Sequence, residues 1–366
     1  MRRLYSIDIM RAAAIILMVQ VHFVGNLSPR EASSQILYDL SIFLGGFAAP
    51  TFTFLVGLSL WLWLNKQQSN LTEQPDTRKF VIKRGLLIVL FGLIFAVIMW
   101  TPVEIFTWDI LPMIGISTMI LYAVRNMPTK YLITISVLIL LIAPPLREMT
   151  NYDSHWFYAE YIYDFTLREI LLGVTLQGYF PLLPWLVFPI IGFCLGRAIT
   201  PTGQSSTNLD RRIPILGISL VFISAVGALS NQFSPIGSSW YLSPISFYPA
   251  STTYVFGILG SILLVFWLLH RRYDLGEAPT SQFIQLYSKF SLTTYVLHHA
   301  VHLWPIYLLA AWNDKDIWYY YQDAISTPLA LTLTIVFIAL FYFFLKFLNS
   351  RAHLSLEGIL RKLSKA

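Results

Sequence analysis

About ten apolar runs of roughly 17–25 residues, each long enough to cross a bilayer as a helix, follow one another along this chain. They lie near residues 7–26, 37–64, 83–103, 108–124, 130–146, 180–197, 212–230, 252–270, 288–311 and 327–348. A backbone in lipid must satisfy its own hydrogen bonds, so the pattern predicts an all-α polytopic membrane helix bundle. Composition agrees: 56% of the 366 residues are hydrophobic and 12% charged, about half the charged fraction of a soluble domain. The net charge of +6 does not point to nucleic acid, because the Lys and Arg side chains sit in short loops between apolar runs. Cys194, the only cysteine, excludes a disulfide framework and any cysteine-based metal site. Met1-Arg2-Arg3 imitates the start of a signal peptide, but Asp8 and Arg11 interrupt the apolar core and no small-x-small cleavage site follows. The first run is therefore read as a retained span.

Every second loop is basic. Arg2 and Arg3 precede the first span; Lys66, Arg78, Lys79, Lys83 and Arg84 lie between the second and third; Arg125 and Lys130, Arg197 to Arg212, Arg271 and Arg272, and Arg351 to Lys362 continue the series. The intervening loops carry Glu104, Asp153, Glu160, Asp164, Asp314, Asp316 and Asp323 with few bases. The positive-inside rule then puts both termini in the cytoplasm. Residues 1–350 read as one transmembrane domain. Residues 351–366, with Leu354, Ile359, Leu360 and Leu363 among basic residues, read as a cytoplasmic amphipathic tail.

Ionisable residues inside apolar runs are expensive and mark functional sites by default. The first run holds Asp8, Arg11 and His22. Eleven steps of about 100° bring Arg11 and His22 to within about 20° of one face, roughly 16 Å apart along the axis. On the predicted orientation Arg11 lies near the inner boundary and His22 near the outer one, lining a path across the membrane. The plainer alternative is that Asp8 pairs with Arg11 at i,i+3 while His22 bonds to a neighbour. Lys83 and Arg84 open the third span; they are either positive-inside anchors or cations for a cytoplasmic anionic cofactor. Small residues from Gly45 to Ala49 predict tight helix packing or a backbone-lined groove, and Pro50 predicts a kink. Asp109 reads as a helix-terminus acid or an orienting group. The outer loop 147–179 is rich in aromatics, Tyr158 among them, which suits an interfacial belt or a sugar-like ligand. In the ninth span His298 and His302 share a face at i,i+4, with Tyr295 nearby. Asp109, Tyr295, His298 and His302 are thus further candidates to line a polar path. His22, His298 and His302 compose a three-histidine set, but no H-E-x-x-H motif accompanies them, and no metal is expected.

The stretch Arg3-Leu4-Tyr5-Ser6-Ile7-Asp8-Ile9-Met10-Arg11, followed by the apolar run to His22, resembles the transmembrane acyltransferase superfamily. Within it the chain is similar to heparan-α-glucosaminide N-acetyltransferase and its bacterial membrane relatives. Ala48-Ala49-Pro50 through Gly57, Lys83-Arg84-Gly85, Asp109-Ile110-Leu111 through Gly115, and Phe180-Pro181-Leu182-Leu183-Pro184-Trp185 agree with this. The resemblance implies transfer of an acyl group from cytoplasmic acetyl-CoA or another acyl-CoA to an acceptor hydroxyl or amine of an extracytoplasmic glycan or glycolipid. It makes His22 catalytic, as base or acyl carrier, and Arg11 important for the donor, with Asp8 steering Arg11 and Lys83 and Arg84 joining Arg11 on the cofactor's phosphates. One departure is plain. The lysosomal enzyme carries Asn where His22 stands and its His in the following loop, whereas residues 26–35 here hold no His. Bacterial carbohydrate O-acyltransferases are therefore the better guide, and a bacterial cytoplasmic membrane the expected location, with membrane lipids as neighbours and a homodimer left open. The rival reading is a transporter or flippase using the same buried charges; a third is a structural subunit, which leaves three intramembrane histidines without a purpose.

Overall fold

The computed structural model describes residues 3–31, 33–69, 76–157, 160–200, 206–233, 245–276 and 280–365. Its helices in chain order are α1 (Tyr5–Leu27), α2 (Gln35–Gly45), α3 (Ala48–Ser69), α4 (Thr77–Met99), α5 (Ile110–Ala123) and α6 (Thr129–Met149). There follow α7 (Leu167–Leu172), α8 (Leu182–Trp185), α9 (Val187–Ile199), α10 (Ser206–Phe233) and α11 (Thr252–Leu269). The last are α12 (Gln282–Lys289), α13 (Ser291–Trp312), α14 (Thr327–Ser350) and α15 (Leu356–Lys365). A two-residue antiparallel pair, β1 (Trp156–Phe157) with β2 (Glu160–Tyr161), interrupts the helical pattern. Among the described residues, 9 helical stretches are long and apolar enough to cross a membrane. α13, at 22 residues, is equally long, and its Thr and His side chains are what lower its hydropathy. The protein is an all-α, multi-pass integral membrane protein. Residues 1–2, the polar loop 70–75 and Tyr158 lie outside the described residues.

The predicted second span is two helices. The break falls at Gly46 and Phe47, ahead of Pro50. Pro50 instead occupies the first turn of α3, where its missing N–H is one that a helix leaves unpaired anyway. The kink is therefore made by a chain break and not by proline within a continuous helix. The ninth span also divides, at Phe290, into α12 and α13.

The chain forms two compact units, residues 53–271 and residues 3–52 with 272–365. In the first, helices approach closely wherever glycine allows it. A Cβ on Gly57 would strike the Pro189 carbonyl, and one on Gly192 the Phe54 carbonyl, so α3 and α9 pack backbone to backbone. The aromatic outer loop folds on itself: Trp156 stacks on Tyr152 and Tyr248 with centroids 5.6 and 4.9 Å away and donates to the Gln177 carbonyl at 2.9 Å. Buried Glu169 takes Arg168 at 2.7 Å and His155 at 3.3 Å.

In the second unit α1 is the central rod, packed by α2, α12, α13 and α14. A Cβ on Gly45 would overlap Val21, so this glycine of the second span serves the α1–α2 contact. The loop after α13 closes the end of α1: Gln322 N–H donates to the Asn26 carbonyl at 2.8 Å, and Ala324 and Ile325 N–H to that of Leu27 at 2.9 and 3.0 Å. These satisfy carbonyls that a helix C-terminus leaves unpaired. At the other end, the Glu357 carboxylate of α15 accepts from the N–H of Leu292 (2.7 Å) and Thr293 (3.0 Å) and from the Thr293 hydroxyl (2.6 Å). The Thr293 Oγ1 in turn accepts from Leu356 N–H at 3.1 Å. The two helix starts thus cap each other, as in a capping box split between two helices.

Candidate functional site

The second unit holds two polar stations along α1. At the one nearer the N-terminus of α1, the inner one on the predicted orientation, Asp8 receives Arg3 Nε at 2.5 Å on one carboxylate oxygen and the Ser288 hydroxyl at 2.6 Å on the other. Arg11 donates to the same Ser288 oxygen at 3.3 Å. Two residues before Asp8, Ser6 gives its N–H and hydroxyl to Asp274 at 3.1 and 2.5 Å. Carboxylate and guanidinium groups here are paired or hydrogen-bonded, the condition on which charge is tolerated out of water. Asp8 and Arg11 are linked through Ser288.

The outer station is a group of four imidazoles. His22 lies 2.8 Å from His298 by Nδ1 and Nε2, with the rings stacked at 5.1 Å, and 4.6 Å by centroid from His299. His298, His299 and His302 are buried, whereas His22 keeps some accessible surface. Their tautomers follow from their partners. His298, His299 and His302 each place Nδ1 on the carbonyl one turn back, those of Thr294 (3.1 Å), Tyr295 (2.9 Å) and His298 (2.6 Å). A carbonyl only accepts, so each Nδ1 carries hydrogen and each neutral ring presents its lone pair on Nε2. His298 Nε2 must then accept from His22, which assigns the hydrogen of His22 to Nδ1 and its lone pair to Nε2. The same logic closes the neighbouring chain: Tyr321 hydroxyl donates to Asn26 Oδ1 at 3.2 Å, and Asn26 Nδ2 donates to His302 Nε2 at 2.9 Å.

The two stations are in register on parallel rods. Arg11 to His22 is eleven residues on α1, roughly 16 Å by helical rise; their partners Ser288 and His298 follow in the same order on α12 and α13.

Of the residues singled out in the sequence, Asp8, Arg11, His22, His298 and His302 come together in this unit, and Tyr295 joins them with its ring 5.1 Å from His299 and its carbonyl as acceptor. Lys83, Arg84 and Asp109 belong to the other unit. Lys83 shares one face of α4 with Asp76, Arg78 and Lys79 around an open groove of about 520 Å³ whose apolar end is formed by Leu86, Leu87 and Leu90. Asp109 caps α5, accepting from Ile110 N–H at 2.6 Å, the plainer of its two readings. Arg3, Asn26, Ser288, His299 and Tyr321 were not anticipated. A signal existed for two of them: Asn26 is one turn beyond His22 on the same face, and His299 adjoins His298 in the sequence.

Residues 3–229 match the family described as "Heparan-alpha-glucosaminide N-acetyltransferase, catalytic". The match spans more than half of the chain and includes Asp8, Arg11, His22, Lys83, Arg84 and Asp109, while Tyr295 and the α13 histidines lie beyond it. No individually curated protein matches the chain.

Proposed function

Because the chain belongs to the heparan-alpha-glucosaminide N-acetyltransferase catalytic family, we propose that it moves an acyl group, acetyl foremost, from cytoplasmic acyl-CoA to a hydroxyl or amine of an extracytoplasmic glycan or glycolipid. The observation that carries this reading is the hydrogen-bond chain from Thr294 through His298 to His22. It leaves a neutral imidazole with its basic nitrogen fixed as Nε2, on the one histidine of the four that is not closed off.

In the proposed reaction His22 Nε2 takes the proton of the acceptor as the acceptor's oxygen or nitrogen attacks the thioester carbonyl. The tetrahedral intermediate collapses, the carbon–sulfur bond breaks, and the proton passes from His22 to the departing thiolate. General base catalysis of this kind contributes about 10²–10⁴-fold. The acyl-carrier variant, in which Nε2 itself attacks and is then deacylated by the acceptor, uses the same lone pair. Arg11, held by Ser288, is assigned to the donor at the inner station. Lys83 and Arg84 are assigned separately to its phosphates, for which a guanidinium offers a bidentate fork and an ammonium a point charge. Asp8 is a positioning residue, acting on Arg11 through Ser288.

The test is transfer of label from radiolabelled acetyl-CoA to membrane glycans in vesicles carrying the wild type or His22→Ala. Loss of transfer in a variant that still inserts and keeps its helical content is the expected result. Undiminished transfer removes His22 from the mechanism. Donor binding separates this reading from transport, because a transporter has no reason to retain acyl-CoA at its cytoplasmic face.

A further inference from the structure

His299 is a buried imidazole for which the proposed reaction has no use. Its ring lies 4.6 Å from that of His22 and 4.1 Å from that of His298, and one ring nitrogen from each of the three falls within 4.8 Å of the others. His302, the partner that i,i+4 spacing selects, accepts the Asn26 Nδ2 hydrogen on its Nε2. His299 takes its place beside His22 and His298.

Two features make these three rings a ligand set. His298 and His299 both anchor Nδ1–H on a backbone carbonyl, at 3.1 and 2.9 Å. That outer hydrogen bond fixes the tautomer and aims the other nitrogen's lone pair in metal-binding histidines. The spacing also fits. Nitrogens about 2.0–2.1 Å from a tetrahedral ion are about 3.3 Å apart, and the observed separations, from 2.8 Å between His22 and His298 up to 4.8 Å, bracket that edge. The adjustment falls on His22, the ring not tied to a carbonyl in its own helix. Three imidazoles with no carboxylate or thiolate joining them among the described residues suit zinc and its neighbours, not calcium or magnesium.

The geometry points to a site for a borderline divalent cation such as Zn²⁺, built by His22, His298 and His299, whose occupation inhibits acyl transfer. The inhibition rests on His22 being the base; the binding does not. Held through Nδ1, His22 must carry its hydrogen on Nε2; held through Nε2, the lone pair itself is used. Either way nothing remains to accept the acceptor's proton.

The experiment uses the full-length protein in lipid nanodiscs, stripped by chelator and offered Zn²⁺ or Co²⁺ alone. About one Zn²⁺ per chain is expected to be retained, with the visible absorption of four-coordinate Co²⁺, and transfer is expected to fall as Zn²⁺ is added and to recover with chelator. His299→Gln is expected to keep basal transfer while weakening Zn²⁺ retention and raising the inhibitory concentration at least tenfold, the scale on which even supporting residues alter affinity. His155→Gln and His270→Gln should change neither. X-ray absorption of the Zn²⁺-loaded wild type needs no variant and is expected to count three imidazoles. A shell of oxygens without imidazole there, no retained cation, equal retention by a folded His299→Gln, or acceleration by Zn²⁺ overturns the proposal. The binding arms contain no acyl-CoA, so loss of the transfer reading and loss of the site are told apart.

Discussion

Replacing His298 tests whether the outer station selects a tautomer or merely fills space. In the wild type, His22 Nδ1–H has His298 Nε2 as acceptor at 2.8 Å, and His298 is itself fixed by the Thr294 carbonyl. Without that acceptor the hydrogen of His22 is buried and unsatisfied whenever it sits on Nδ1, a penalty of about 1–3 kcal/mol. The equilibrium then moves toward the Nε2–H form, which presents no base to the acceptor. At about 1.4 kcal/mol per tenfold, the competent fraction and with it kcat fall roughly 5- to 150-fold. Donor KM should not move, because the groups assigned to hold the donor, Arg11, Lys83 and Arg84, are untouched. His298→Ala also empties a buried volume, so His298→Gln is the sharper variant: its carbonyl oxygen accepts a hydrogen bond, and it should recover part of the lost kcat. The assay is labelled acetyl transfer in vesicles, resolved into kcat and KM. A His298→Ala enzyme with unchanged kcat, or one in which the deficit lies wholly in KM, refutes tautomer selection.

Three further outcomes follow from the same contacts. Ser288→Ala severs the link between Asp8 and Arg11, and is expected to raise donor KM by about tenfold, the equivalent of one charge-assisted hydrogen bond, with little change in kcat; the opposite split counts against a donor role for Arg11. Glu357→Ala leaves the N–H groups of Leu292 and Thr293 without their carboxylate; a loss of about 1–3 kcal/mol should appear as faster amide exchange at the start of α13, and unchanged exchange there denies α15 a capping role. Gly45→Ala drives a methyl into the Cβ of Val21 and should destabilise the protein by about 1–3 kcal/mol, a deficit that adding Val21→Gly, which removes that Cβ, should relieve in thermal unfolding; strict additivity of the two would mean that they do not touch.

What could be read in advance followed from two kinds of signal. An ionisable group in an apolar run stands out by its cost, so Asp8, Arg11, His22 and His298 were legible, and helical periodicity paired Arg11 with His22. Run length likewise marked the spans, including α13, which its histidines made less apolar than the rest. Periodicity says nothing, however, of how one helix registers against another nearly 280 residues away, and so Ser288 on Asp8 and Asn26 on His302 were invisible. It is also incomplete where a ring sits between two neighbours. Spacing of i,i+4 favoured His302 over His299, yet adjacent residues on α13 both reach His22, because a ring on a facing helix can touch side chains about 100° apart around its partner. Pro50 shows the reverse error: a strong breaker drew the kink to itself, while the break was made by Gly46 and Phe47, which carry a weaker local signal.

The two stations differ in a way that matches what would travel between them in the proposed reaction. On the predicted orientation the inner one is built of formal charges, Arg3 with Asp8 and Arg11 on Ser288, at the boundary where water and lipid headgroups keep such charges tolerable. The outer one, about three turns deeper along α1, is built of imidazoles that are neutral in the assigned tautomers, two of them stacked. In the proposed reaction Arg11 at the first holds the charged donor back, and only a neutral thioester reaches the second. A base at that depth must accept a proton, and so acquire charge, only while the tetrahedral intermediate stands. An arginine or carboxylate in place of His22 would hold its charge throughout and bear the desolvation penalty in the resting state. Imidazole avoids this by being uncharged until the moment of transfer, and the carbonyls of Thr294, Tyr295 and His298 supply orientation without adding charge. Substituting His22 by Asp, which could also act as a base, should therefore fail to restore transfer even where the chain still folds.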